Sequence, residues 1–214
     1  MMGFFSKRKE TRDTEDLGAH NQDEQPGVEE GLSNDLGPFD STEDSDDIAR
    51  VDFGSLRIPL TPDLRVSPDV SEDGRGISGL TLLLDSSAVR LMAVASPKSG
   101  GLWKDVRGEL KVQLTKQGAT IEERDGVFGT ELLAQVPVQN AEGRSGRAPM
   151  RFAGIQGPNW FLRVIFNGAA AVDEEAAKPL ENVVRNIVVH RDATPRPPKE
   201  ILPITLPVDT EQEA

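Results

Sequence analysis

The chain has 214 residues, 24 basic against 36 acidic for a net charge of −12, with no cysteine and no tyrosine. Without cysteine there is neither a disulfide nor a thiolate metal site, which fits a reducing compartment, and the expected location is the cytoplasm. No stretch approaches the ~20 apolar residues of a membrane-spanning helix, and the acidic balance makes nucleic acid an unexpected partner, since such binders present a basic face.

The charge is unevenly placed. Residues 1–50 hold 14 acidic and 5 basic side chains, so nine of the twelve net negative charges fall in the first quarter. Between positions 10 and 47 only Leu17, Val28, Leu32, Leu36 and Phe39 are sizeable and apolar, too few to offset an ordering cost of ~1–2 kcal/mol per residue. Residues 1–50 are therefore expected to form a disordered acidic tail. The opening run Gly3-Phe4-Phe5-Ser6-Lys7-Arg8-Lys9 places its cations after its apolar residues, which is not the order of a secretory signal.

From Val51 the pattern changes, and an α+β domain is expected over 51–192. Residues 52–60 alternate apolar and polar as a half-buried strand does, and 64–66 suit a second short strand. Residues 77–84 and 89–95 read as a hairpin turning at Asp85-Ser86-Ser87. Next comes the clearest element, an amphipathic helix up to Lys116 whose Trp103, Val106, Leu110 and Leu114 recur at steps of three and four on one core-facing side. Ser99 with Gly100 and Gly101 is expected to cap its start, and Gly118 its end. A second hairpin, 119–124 with 127–138, is expected to turn at Asp125-Gly126. A loop over 140–147 leads to a strand at 150–155.

Residues 160–166 carry Trp160, Leu162, Val164 and Phe166 on one face and Phe161 and Ile165 on the other, so this strand should lie centrally with cover on both sides. A second helix is expected from Glu174, with Leu180, Val183, Val184 and Ile187 at helical spacing. Pro179 inside it costs ~3 kcal/mol or more in a helix interior and predicts a kink or a later start. Residues 187–190 suit a short strand, and 193–214 form a proline-rich segment expected to lie extended. The fold class is α+β, a mainly antiparallel sheet with two helices packed on it. Its order of elements is similar to the α/β/α sandwich of PsbP, an analogy of architecture that transfers no function.

The opening run, the acidic tail, Phe53-Gly54-Ser55-Leu56-Arg57-Ile58-Pro59, Pro97-Lys98-Ser99-Gly100-Gly101-Leu102-Trp103, Asp125-Gly126-Val127-Phe128-Gly129, Gly154-Ile155-Gln156-Gly157-Pro158-Asn159-Trp160 and the proline-rich end, taken together in this order, resemble an actinobacterial family of uncharacterised proteins, domain of unknown function 3710. The resemblance implies a bacterial cytoplasmic protein and carries no activity, cofactor or site residue with it.

Chemistry is thinly supplied. Nucleophilic catalysis needs a nucleophile, a base and a group to orient it, and the only imidazoles are His20 and His190. Glu122-Glu123 and Glu174-Glu175 read as solvated faces, and neither zinc spacing nor a calcium loop is present. No catalytic, cofactor or metal site is assigned. Lys98 and Ser99, leading into a helix N-terminus, are a candidate anion contact that lacks the residue order of a P-loop. Arg144, Arg147 and Arg151, on and beside one loop, are candidate anion or partner contacts. Arg163 interrupts the apolar central strand and needs an anion, either a carboxylate such as Glu131 or an external one. Trp103 and Trp160 read as core anchors. The main reading is a non-enzymatic domain that binds another protein, and the alternative is an accessory in nucleic-acid or nucleotide metabolism that binds anions through the arginine-bearing loop.

Overall fold

The computed structural model describes residues 37–44, 47–71, 73, 74, 76–139 and 143–207. In chain order they form β1 (Phe39–Asp40), β2 (Arg50–Asp52), β3 (Leu56–Pro59), β4 (Arg65–Val70), β5 (Ile77–Leu84), β6 (Ser87–Ala95) and α1 (Leu102–Lys116). There follow β7 (Thr120–Gly126), β8 (Gly129–Gln139), β9 (Ser145–Gly157), β10 (Trp160–Gly168), a single 3-10 turn at Ala169–Ala171, α2 (Glu174–Arg185) and β11 (Val188–Val189).

The large sheet runs β4-β5-β6-β10-β9-β8-β7, every neighbour antiparallel, so β10 is the fourth of seven strands. Its doubly apolar pattern is satisfied from both sides. Trp160, Leu162, Val164 and Phe166 share one core with Leu80, Leu82, Leu91, with Ala177, Leu180, Val183 and Val184 of α2, and with Leu56 and Ile58 of β3. Phe161 and Ile165 share the other with Leu102, Trp103 and Leu114 of α1 and with Leu132 and Phe152. The two helices thus lie on opposite faces of the sheet, and the α+β class holds.

A four-stranded sheet, β1-β11-β3-β2, joins α2 on the first face. The part of the expected acidic tail that is described belongs to this layer. Phe39–Asp40 pairs in parallel with Val188–Val189. Asp40 is buried and accepts the indole N–H of Trp160 at 2.7 Å. Asp44 bridges Arg57 at 2.7 Å and Arg50 at 3.1 Å. One buried acceptor and one paired strand hold residues that composition alone assigns to solvent; residues 1–36 lie outside the described residues. At the other end, residues 199–205 bond both sheets. Ala95 and Ala93 exchange backbone hydrogen bonds with Lys199, Glu200 and Leu202, and Phe53 and Ser55 with Thr205 and Pro203. Residues 208–214 lie outside the described residues.

Several local expectations shift. The single strand over 52–60 is two, β2 and β3, because the chain reverses at Gly54, whose φ is 80°. The second hairpin turns at Val127-Phe128, two residues late, since Gly129 takes the left-handed position at φ 81°. Gly126 serves a different need: a Cβ there would lie 2.2 Å from the carboxyl carbon of Glu131. α1 starts at Leu102 behind Gly101, φ 80°, with no side-chain cap, so Ser99 does not cap it. α2 starts at Glu174 behind Asp173, whose carboxylate accepts the N–H groups of Glu175 and Ala176, and it runs through Pro179 without a later start. Four buried apolar side chains on its inner face offset the lost hydrogen bond.

Close approach of α1 to the sheet depends on Gly154, where an added Cβ would stand 2.4 Å from the Trp103 ring. Gly108, on the outer side of α1, meets nothing within 4 Å. Gly154→Ala is expected to lower the unfolding free energy by ~1–3 kcal/mol through overpacking, and Gly108→Ala to raise it by ~0.5–1 kcal/mol through helix propensity. Urea midpoints of the two variants check both signs.

Candidate functional site

Charged side chains gather on both faces of the large sheet, and the two groups differ in kind. On the α2 side, Glu131 of β8 is 0% exposed and Arg151 of β9 is 3% exposed. Arg151 Nη1 lies 2.7 Å from Glu181 Oε1 of α2 and 3.8 Å from Glu131 Oε2, while Arg124 Nε of β7 is 4.0 Å from that same oxygen. The Arg151 guanidinium stands 4.0 Å over the Phe166 ring, and the backbone N–H of Phe128 donates to Glu131 Oε1. Burial pushes the Glu131 carboxyl above its ordinary value near 4.5, against the pull of Arg151 in the other direction. This is an internal cluster that fastens α2 to β8 and β9.

The α1 side is different. α1 covers β7 to β10, where Leu132, Phe152, Phe161 and Ile165 are buried beneath it. Across β4 to β6 that face is open, apart from Val94 of β6, which is buried with the α1 residues. The side chains of the open part, fixed by the register, are Arg65, Ser67 and Asp69 of β4, Thr81 and Leu83 of β5, and Ala88, Arg90 and Met92 of β6. All are exposed or half-buried, Leu83 at 41%, whereas Leu80, Leu82, Val89 and Leu91 on the opposite face are at 0%.

Arg163 of β10 sits at the border of the covered and open halves, opposite Met92 and Gly154 and diagonal to Arg90. It is half-buried, its Nε is enclosed without an acceptor, and no carboxylate among the described residues pairs with it. Burial lowers its pKa, and the neighbouring Arg90 cation lowers it further; a guanidinium so perturbed is still protonated at neutral pH. The one carboxylate on this face, Asp69, is engaged, accepting from Arg90 Nε at 2.7 Å and from the Thr81 hydroxyl at 2.8 Å. Arg65, Arg90 and Arg163 against Asp69 leave the open face cationic; among the described residues only Arg90 has a carboxylate, and of the other two Arg163 is the one whose Nε is enclosed.

The expected partner of Arg163, Glu131, cannot reach it. Leu132 lies in register with Phe152 and Ile165 on the α1 side, so Glu131 projects to the α2 side. The candidate contacts read from sequence are not brought together either. Arg151 is withdrawn into the internal cluster. Arg144 and Arg147 are exposed at the start of β9, where Arg147 Nη1 donates to the Gln135 carbonyl at 3.0 Å; the loop residues 140–142 lie outside the described residues. Lys98 and Ser99 are exposed in the turn before α1, near Gln156 at the other end of β9. Nine strand residues, about 30 Å, separate the two pairs. His190 is exposed, with Nδ1 3.0 Å from Ser41 Oγ. Trp103 and Trp160 are core residues, and Trp103 Nε1 donates to the Thr130 carbonyl at 2.7 Å. Among the described residues no three His, Asp or Glu side chains gather as metal ligands, and no helix is long and apolar enough to cross a membrane.

Sequence reasoning singled out Arg163 but missed Arg90, Asp69 and Thr81. The alternation of β6 marks Arg90 as outward-facing; only the antiparallel pairing of β6 with β10, some 70 residues apart, sets it beside Arg163.

A family model described as "Protein of unknown function (DUF3710)" matches residues 37–213. No curated protein matches the chain. Among solved structures, a crystal structure from Bacteroides thetaiotaomicron VPI-5482 is similar over 67% of this chain and 48% of its own length, at 17% identity and a TM-score of 0.38. The chain thus spans about half the length of that protein, and so distant a likeness carries no argument.

Removing one partner of a buried ion cluster strands the others. Arg151→Met leaves Glu131 and Glu181 without their shared cation and is expected to cost ~3–5 kcal/mol of stability, part of it restored by adding Glu131→Gln. Glu131 also has a sign in pH. Its folded pKa lies above the unfolded one, so between those two values the folded state holds the extra proton and the stability due to this group falls as pH rises through that window. Unfolding free energies measured across the acid range are expected to show that fall in the native chain and to lose it in Glu131→Gln.

Proposed function

The chain belongs to the DUF3710 family of proteins of unknown function, and we propose that it is a non-enzymatic protein-binding domain whose site is the open sheet face around Arg163, taking an acidic segment of another polypeptide. Unmatched Arg163 is the observation that carries this reading. A half-enclosed guanidinium without an acceptor is costly to the free protein and becomes favourable when an external carboxylate supplies the missing hydrogen bonds. Arg90, Arg65 and the hydroxyl of Thr81 extend the polar contacts, and Leu83 and Met92 offer apolar ones between them.

The shape favours an extended chain over a small anion. The side chains stand in a row across β4, β5, β6 and β10, about 15 Å at the usual interstrand spacing, on a surface of strands. β4 is the outer strand of the sheet, with Val70 exposed at 64%. Nucleic acid is the weaker reading, because a strong binder makes ~6–10 phosphate contacts, and three arginines here share their face with Asp69. A cytoplasmic setting accords with the cysteine-free composition.

The Nε–Hε resonance of Arg163 in the isotope-labelled full chain reports occupancy directly. Deca-glutamate is expected to shift it and the Met92 methyl signal saturably, and Arg163→Gln to weaken binding by about tenfold, the worth of one hydrogen bond to a charged group. Pyrophosphate or ATP shifting both signals while deca-glutamate leaves them unmoved would instead favour the nucleotide-accessory reading.

A further inference from the structure

Two features of the chain are complementary. One is the cationic open face, and the other is the charge of the chain that leads into β1. Residues 10–36 hold nine acidic side chains and a single basic one, Arg12, with Leu17, Val28, Leu32 and Leu36 spaced among them. That combination of carboxylates and scattered leucines matches what the open face offers, guanidinium groups of Arg65, Arg90 and Arg163 around Leu83 and Met92.

We infer that the acidic segment 10–36 occupies the open face of the large sheet in its own chain, with a carboxylate of the segment completing Arg163, so that an external partner gains the site only by displacing it. The inference rests on the reading that this face receives acidic polypeptide, and adds which polypeptide holds it first.

Geometry permits this. The segment enters the described structure at Gly37, beside the Arg185 carbonyl at the end of α2, on the far side of the sheet. It must therefore pass around an edge. Twenty-seven residues span at most about 90 Å when extended, against about 60 Å for half the perimeter of a domain of this size. Attachment keeps the segment at an effective concentration that a free peptide of equal affinity reaches only in the millimolar range. Contacts between partly exposed charges are weak and salt-sensitive, so the segment holds the face without sealing it.

The absence of cysteine makes the test clean. A nitroxide on Thr14→Cys in the full chain, the only thiol present and 23 residues ahead of Gly37, is expected to bleach the methyl signals of Leu83 and Met92 while sparing Val138 at the distant end of β8. The bleaching is expected to be lost on adding Arg163→Gln and in about 1 M salt, where the screening length is ~3 Å. Bleaching spread evenly over the surface, or indifferent to Arg163→Gln, would overturn the inference. In a mixture of labelled diamagnetic chains with unlabelled nitroxide-bearing ones, bleaching would assign the face to a second copy's segment and equally overturn it. If the nitroxide leaves the face untouched while deca-glutamate still shifts Arg163, this inference alone fails; if neither acts there, the reading it rests on fails too.

Discussion

A strand that is apolar on both faces cannot be stable with either face in water, and β10 imposes that condition on the whole molecule. Trp160, Phe161, Leu162, Val164, Ile165 and Phe166 are all buried, and removing each from water is worth ~1.5–3 kcal/mol. One face is met by α2 with the small sheet, the other by α1. α1, the only helix on its face among the described residues, packs over β7 to β10 and does not extend over β4 and β5. The open half of the sheet follows from that shortfall, and Arg163 is placed where the cover ends.

Segments near the two ends of the described residues complete the sealed side. Asp40 reaches across 120 positions to the Trp160 indole, and residues 199–205 bond the end of β6 to the turn between β2 and β3. These contacts tie the functional argument to the fold, because the Asp40 anchor fixes where the acidic segment departs. Charge is distributed to match. The internal arginine, Arg151, has carboxylates from β8 and α2, whereas Arg163 on the other face has none among the described residues. The same residue type is structural in one place and available in the other.

Much of this was legible in the residues. Two-residue alternation gave β5, β6 and the central placement of β10, and helical spacing gave α1 and α2, because these signals are local and strong. Of the two outcomes Pro179 predicts, the later start does not occur, since the buried stripe of α2 outweighs the penalty that propensity assigns. Asp125-Gly126 misled, because a glycine demanded by close approach to Glu131 looks in sequence like a glycine demanded by a turn. The strand at Phe39–Asp40 was hidden, because its stability comes from β11 and Trp160, far along the chain. The site was half legible. Arg163 stands out as a charge in an apolar run, but its partner was misassigned, since facing depends on the register of β8 against β9 and β10, and no local pattern encodes that.

The central claim is that Arg163 is held without an anion at some cost to the folded chain, for the sake of a ligand. The most direct measurement is the unfolding free energy of Arg163→Met in about 1 M salt, where screening removes the contribution of external carboxylates. The account predicts a gain of about 1 kcal/mol over the native chain, as when a residue kept for binding is replaced by one that suits its surroundings. A loss of that size or more would mean that Arg163 has a structural partner within the domain, and would contradict the account.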